Sequence, residues 1–288
     1  MRQIFRFWWL PLLLTNWACA PKLQVKPLPR AERFSPLADY EAFALLKKDT
    51  IAFPTDQLLG TIAVKDQGLS INCDFESVVA LAEAQARQLG GNCLVITEHK
   101  LPNATTSSCH RIRAEVYHIE NPERYEERIK WHRRRRLRIG DFKGSTEKRP
   151  FLAVTSSGFY YSVQQTPLRN EAEIEVHAYF DCLGSYFKRS SEDTAVLAHE
   201  QLHFDISEIY ARQLVERFAK QCPNFKILIA EHERIYTELF REFQVKQDEY
   251  DSEVYADPGL QDKWRDWVQA GLRATEAYAD KTLVLPLR

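Results

Sequence analysis

"LAHEQLHFD" (residues 197–205) sets two histidines four residues apart, a glutamate directly after the first, and apolar residues around them. It belongs to a longer run, "SSEDTAVLAHEQLHFDISEIYARQLVERFAKQC" (190–222), that reads as helix. Ser190 or Ser191 is the expected cap, with Glu192 and Asp193 complementing the helix dipole. At about 100° per residue, His199 and His203 lie about 40° apart, and Val196, Ile206, Tyr210 and Leu214 share their side. The stripe that should face the core is therefore the stripe that carries both imidazoles. Buried imidazoles without partners are costly. A divalent cation removes that cost, because histidines four apart on a helix both reach one metal centre. Glu200, about 60° from His203, can touch a water at that metal without ligating it. Zinc, one per chain, is the expected ion. It lowers the pKa of a bound water towards ~7, and a glutamate can take the proton as hydroxide attacks an amide carbonyl.

A catalytic zinc needs a third protein ligand. The pattern HExxHxxGxxH is not met, since Ile206 stands at the glycine and Ile209 at the last histidine. Glu208 lies about 140° from His203 on the helix, on the wrong side. The ligand must come from farther along the chain. On the next helix, with Leu239 as reference, the inward face collects Leu228, His232, Ile235, Tyr236, Phe243, Tyr250 and Glu253, with Lys246 interrupting it. Glu253 falls in that stripe and Asp251 about 120° off it, so the order is Glu253, then Asp251, then His232. Tyr250, one turn before Glu253, is either an oxyanion donor or a packed aromatic.

Upstream, "EAEIEVHAYF" (171–180) alternates strictly, with Ala172, Ile174, Val176, Ala178 and Phe180 on one side. A strand placed just before such a helix is expected to line the cleft and pair with an extended peptide. "FLAVTSSGFYYSVQQ" (151–165) reads as two strands about a Ser-Ser-Gly turn. "YEERIKWHRRRRLRIGDFKG" (125–144) is the most basic stretch, read as a solvated strand edge or a patch facing anionic lipid. The net charge of -1 argues against nucleic acid as the main partner.

Residues 37–120 form a smaller unit. "LLGTIAVKD" reads as a strand, "DFESVVALAEAQARQLGGN" as a helix stopped at Gly90-Gly91, and "CLVITE" and "HRIRAEVYHIE" as two more strands. A right-handed crossover makes the first two strands parallel. Cys73 and Cys109 then fall at one sheet edge, as a disulfide, with Cys93 at the other edge as a packed thiol. A second bridge, Cys182–Cys222, would pin both ends of the HExxH helix. Residues 1–20 have Arg2 and Arg6, a short apolar run from Phe7 to Leu14 and then small residues, the layout of an export signal. Cleavage after Ala20 would leave Pro21 first, so lipidation of Cys19 within "NWAC" is preferred. Residues 21–36, rich in proline, read as a linker. The expectation is a chain exported to the bacterial envelope, periplasm or outer membrane, and anchored to a membrane by lipid.

"DFKG" (141–144), "AVTSSGFYYS" (153–162), "HEQLHFDISEIYAR" (199–212), "YDSE" (250–253) and "QDKW" (261–264) together resemble the bacterial family of predicted secreted zinc-dependent proteases known as DUF922, over about residues 125–270. The resemblance implies a zincin-like domain with His199 and His203 as ligands and Glu200 as catalytic base. The family's tail resembles Y-D-x-E-T, often followed by a histidine; this chain has Val254 for the threonine and Ala256 where that histidine would fall. The expected fold is α+β: a small βαββ domain, then a zincin-like domain over 124–288 with antiparallel strands before long helices. Two functions compete: a zinc metallopeptidase acting on peptide or protein, and a non-catalytic envelope lipoprotein that binds a metal or peptides.

Overall fold

The computed structural model describes residues 21–29, 34–48, 57–66, 74–103, 107–166, 169–188 and 194–288. The expected export signal with Cys19, the helix cap at Ser190 or Ser191, and Cys73 lie outside the described residues. The architecture is mixed α and β, with a sheet in the N-terminal third and helices dominating the C-terminal half.

The N-terminal unit is a five-stranded sheet with one covering helix. Its strands are β1 (Lys22–Pro27), β2 (Ala44–Lys47), β3 (Leu58–Lys65), β4 (Cys93–Lys100) and β5 (Arg111–Tyr117), in spatial order β1-β3-β5-β4-β2. β5 is antiparallel to both β3 and β4, so those two run parallel as expected, with β5 between them. Helix α1 (Phe75–Gln88) buries Val78, Val79, Ala82 and Ala86 against Ile62, Val64, Leu94 and Ile112. Asp74 caps it by accepting from the Ser77 amide. Gly90 ends it at a φ of 78°, where a Cβ would strike Phe34. Two edge strands enlarge the expected βαββ unit. β1 falls in the stretch read as a linker: its Leu23 and Val25 pack on the core. Prolines at its end had masked the alternation.

The second unit is built on β9 (Glu171–Asp181). β8 (Ser157–Thr166) pairs along one side of it, while β6 (Arg128–Lys130) and β11 (Thr282–Pro286) share the other. The alternation holds, since Ala172, Ile174, Val176, Ala178 and Phe180 are all buried. The strand is nevertheless central, with both edges taken, so it cannot accept a peptide as an added strand. Instead of forming a hairpin with β8, the short β7 (Ala153–Val154) pairs with β10 (Tyr186–Phe187).

Helix α2 (Thr194–Gln221) lies under this sheet, with α3 (Phe225–Ala256) and α4 (Gln261–Ala274) on its other sides. It is buried nearly all round from His199 to Val215, unlike a surface helix with a single apolar stripe. Each large apolar side chain enclosed here contributes about 1.5–3 kcal/mol by leaving water.

The basic stretch is absorbed into the fold only in part, since Arg133, Arg134, Arg136 and Arg138 are exposed. Arg135 is buried and donates to Glu126 and to both carboxylate oxygens of Asp141. Arg136 pairs with Asp205 at 3.2 Å, and the Trp131 indole donates to the same carboxylate at 2.8 Å. The Leu137 amide donates to Gln201, whose own amide donates to Asp205. Through Arg136 and Leu137 the segment clamps α2, while Arg128, Arg133, Arg134 and Arg138 lie exposed, the solvated edge that the charge run suggested.

Cys93, Cys182 and Cys222 are free and buried. Cys109 is disulfide-bonded, to a partner outside the described residues. The Cys182–Cys222 bridge is ruled out by distance. Cys182 packs beside Phe204 in one core cluster, about 27 Å along α2 from Cys222 in another. A disulfide needs Cα atoms within about 7 Å.

Candidate metal centre

His199 and His203 lie one turn apart near the start of α2, each 9% exposed, with Glu200 at 3%. α3 returns antiparallel after a short link, so its last turns face the first turns of α2. Asp251 on α3 completes the group. Its Oδ1 is 3.0 Å from the Nε2 atoms of both His199 and His203, which are 3.1 Å from each other. Among the described residues these three make the one cluster suited to a metal ion. The edges of a zinc tetrahedron with ligands at 2.0–2.1 Å are about 3.3 Å, so the triangle matches one face of it to within a few tenths of an ångström.

The proton positions follow from Gln247. Its Nε2 donates to the His203 carbonyl at 3.0 Å, which fixes the amide orientation and turns Oε1 towards His203 Nδ1 at 2.6 Å. A carbonyl oxygen only accepts, so Nδ1 carries a proton and neutral His203 presents a bare lone pair at Nε2. The lone pairs of His203 Nε2 and Asp251 Oδ1 then face each other at 3.0 Å, and either a proton or a cation must sit between them. In the absence of a cation the proton is held firmly. Burial alone would lower the pKa of His203, but the hydrogen bond and charge of Asp251 outweigh it and raise it. Burial likewise pushes Asp251 up, and its contacts with the two imidazoles bring it far below the usual carboxylate range.

Glu200 is buried beside this group. Its Oε2 is buried with no hydrogen-bond partner among the described residues, a state that costs free energy unless something outside the chain satisfies it. Burial raises the pKa of this carboxyl, against the pull of His203, the Thr155 hydroxyl and His199. Glu200, His203 and Asp251 line one cavity of about 670 Å³, walled by residues 151–157 on one side and α3 on the other. Two nitrogens, a carboxylate oxygen and an adjacent unsatisfied carboxylate form a donor set that fits zinc with a water beside it.

Glu253, the residue expected first as ligand, is not at the centre. Its Oε2 accepts from Lys263 at 2.8 Å and from the Trp264 indole at 2.9 Å. The inward face of α3 has two partners: one flank, with Asp251, meets α2, and the other, with Glu253 and Lys246, meets α4. Lys246, read as an interruption, sits over the rings of Trp264 and Trp267. His232 is about 28 Å away along α3 and bonds to the Tyr161 hydroxyl. Glu208 faces Arg212 and Lys281, away from the centre.

Tyr250 is a packed aromatic, with no access to an oxyanion. It is fully buried, and its ring stacks on His199 at 4.5 Å. Its hydroxyl sits between the His199 carbonyl and Gln261 Oε1, at 3.2 and 3.1 Å. The tyrosine that lines the cavity is Tyr255, 59% exposed, with its ring 5.7 Å from that of His199. Gln247, Asp251 and Tyr255 stand four apart in one row along α3; that spacing was the signal available for Gln247 and Tyr255.

No protein-family model, curated protein or solved structure matches the chain.

Proposed function

We propose that the protein is a zinc-dependent peptidase of zincin-like architecture, with His199, His203 and Asp251 holding the metal and Glu200 as general base. The observation that carries this reading is the triangle of ligand atoms beside the unsatisfied, buried Glu200 carboxylate. A structural site has no use for such a carboxylate. Bound zinc supplies a Lewis acid and acidifies water at neutral pH. With the metal bound, Glu200 would take a proton from the attacking water and deliver it to the leaving amine nitrogen. Tyr250 and Gln247 hold the two imidazoles in orientation, and the wall at 151–157 keeps the carboxylate out of bulk water. Export and lipidation at Cys19 would place this activity at a bacterial envelope.

The test is metal content by mass spectrometry on residues 21–288 purified without chelator, followed by hydrolysis of a fluorescent unfolded-protein substrate. About one zinc per chain is expected, lost in His203→Ala. Glu200→Gln should keep zinc and lose hydrolysis by about 10²-fold or more. No metal uptake even with zinc supplied, or full activity in Glu200→Gln, sinks the proposal.

A further inference from the structure

The cavity does not end at the metal centre. It follows α3 from Tyr255 back to Phe240, about 22 Å at the helical rise. An extended chain of about six residues covers that length.

The two ends of this cleft differ in chemistry. Beside the metal ligands, Phe151 and Tyr255 are half exposed and stacked, ring centroids 6.1 Å apart at 17°. Both sit on the cavity wall, and Val245, at 61% exposure, lines the same wall nearer Arg241. Large apolar groups left in water around one cavity mark a binding surface. At the far end stands Arg241, the only cation lining the cavity, with no ion pair or hydrogen bond among the described residues. Most other arginines of this unit are paired, including Arg135, Arg136, Arg212, Arg217 and Arg234. Arg241 lies about 15 Å from Asp251 along the helix, the reach of four or five extended residues.

We infer that the cleft recognises an extended peptide segment by two marks: a large apolar side chain beside the scissile bond, held by Phe151 and Tyr255, and a carboxylate four or five residues away, held by Arg241. This deepens the peptidase reading and rests on it. A guanidinium takes a carboxylate through two parallel hydrogen bonds, and the stacked rings offer a flat apolar face. The substrate is then an unfolded stretch of polypeptide, since one terminal residue would leave most of the cleft empty.

The experiment is binding, measured by fluorescence anisotropy with zinc-loaded Glu200→Gln protein. The probes are fluorescein-labelled nonapeptides with Phe and Glu five positions apart, in both orders along the chain. Control peptides carry Lys for Glu or Ser for Phe. In one of the two orders the Phe/Glu peptide should bind at least about 10-fold tighter than either control, and Arg241→Glu should reverse the preference to the Lys peptide. Absent binding, equal binding of all peptides, or a Glu preference that survives Arg241→Glu overturns the inference. Failure of the peptidase reading shows elsewhere: the pattern appears in the binding data while wild-type protein cleaves none of the peptides.

Discussion

Gln247 holds His203 from both ends, with Oε1 2.6 Å from Nδ1 and Nε2 donating to the residue's own carbonyl at 3.0 Å. The side chain thereby fixes both the tautomer and the tilt of a ring in the proposed metal centre. Gln247→Leu should weaken zinc binding about 10–100-fold, the usual cost of losing such a partner. Gln247→Glu, which can accept the same Nδ1 proton, should recover most of it. Competition against a chromophoric chelator measures both, and a Leu variant that binds zinc like wild type would remove this role.

Asp251 and Glu253 separate the two faces of α3. Asp251→Asn should abolish zinc binding, because its Oδ1 is one corner of the ligand triangle. Glu253→Gln should retain full zinc content, because that carboxylate is spent on Lys263 and Trp264. The reverse pattern would put the ligand back where helical periodicity alone had placed it.

These two residues also show what a sequence conveys. The histidines, Glu200, the alternating β9 and the α1 apolar face were legible because each depends on one local period. The place of Asp251 beside them was not, because 100° spacing locates a face without saying which neighbour it meets. α3 meets α2 and α4 at once, so an acid central to the stripe points at α4 and one off its edge points at the two histidines of α2. The same limit explains Tyr250, whose position was read correctly while its partners, the His199 carbonyl and Gln261, could not be. The arginine run was legible in part. Arg133, Arg134 and Arg138 are exposed as the charge run implies, whereas Arg135 and Arg136 meet Glu126, Asp141 and Asp205, and the last of these lies far along the chain.

Burial pushes the thiols of Cys93 and Cys182 up to about 12 and raises that of Cys222. The thiolate is the reactive form, so at pH 8 all three should resist iodoacetamide in the native protein. Unfolding without reductant should expose all three to labelling, while Cys109 stays protected until reduced. Peptide mass mapping reads each position. Cys182 and Cys222 remaining unlabelled after unfolding would mean that they are bridged after all.

Glu208 and Arg212 form a buried pair on α2, 0% and 2% exposed, joined at 2.8 Å. Lys281, just before β11, gives Glu208 a second bond at 3.0 Å, and Arg212 also donates to the Leu272 carbonyl at the end of α4. The cluster thus ties three distant segments together, but its stability is not simply additive. Arg212→Met leaves an acid in the core with one partner instead of two. Breaking a buried pair in this way costs about 3–5 kcal/mol, a fall in Tm of about 6–15 °C for a chain of this size. The double variant Glu208→Leu/Arg212→Met removes the stranded acid as well, and isosteric apolar replacement of a whole pair is often near neutral. It should therefore melt above the Arg212→Met single variant despite carrying one more core substitution. Thermal unfolding of the two variants and Glu208→Leu closes the cycle. A double variant less stable than Arg212→Met would show that Glu208 is held by Lys281 without loss, and that the cost of the single change is packing.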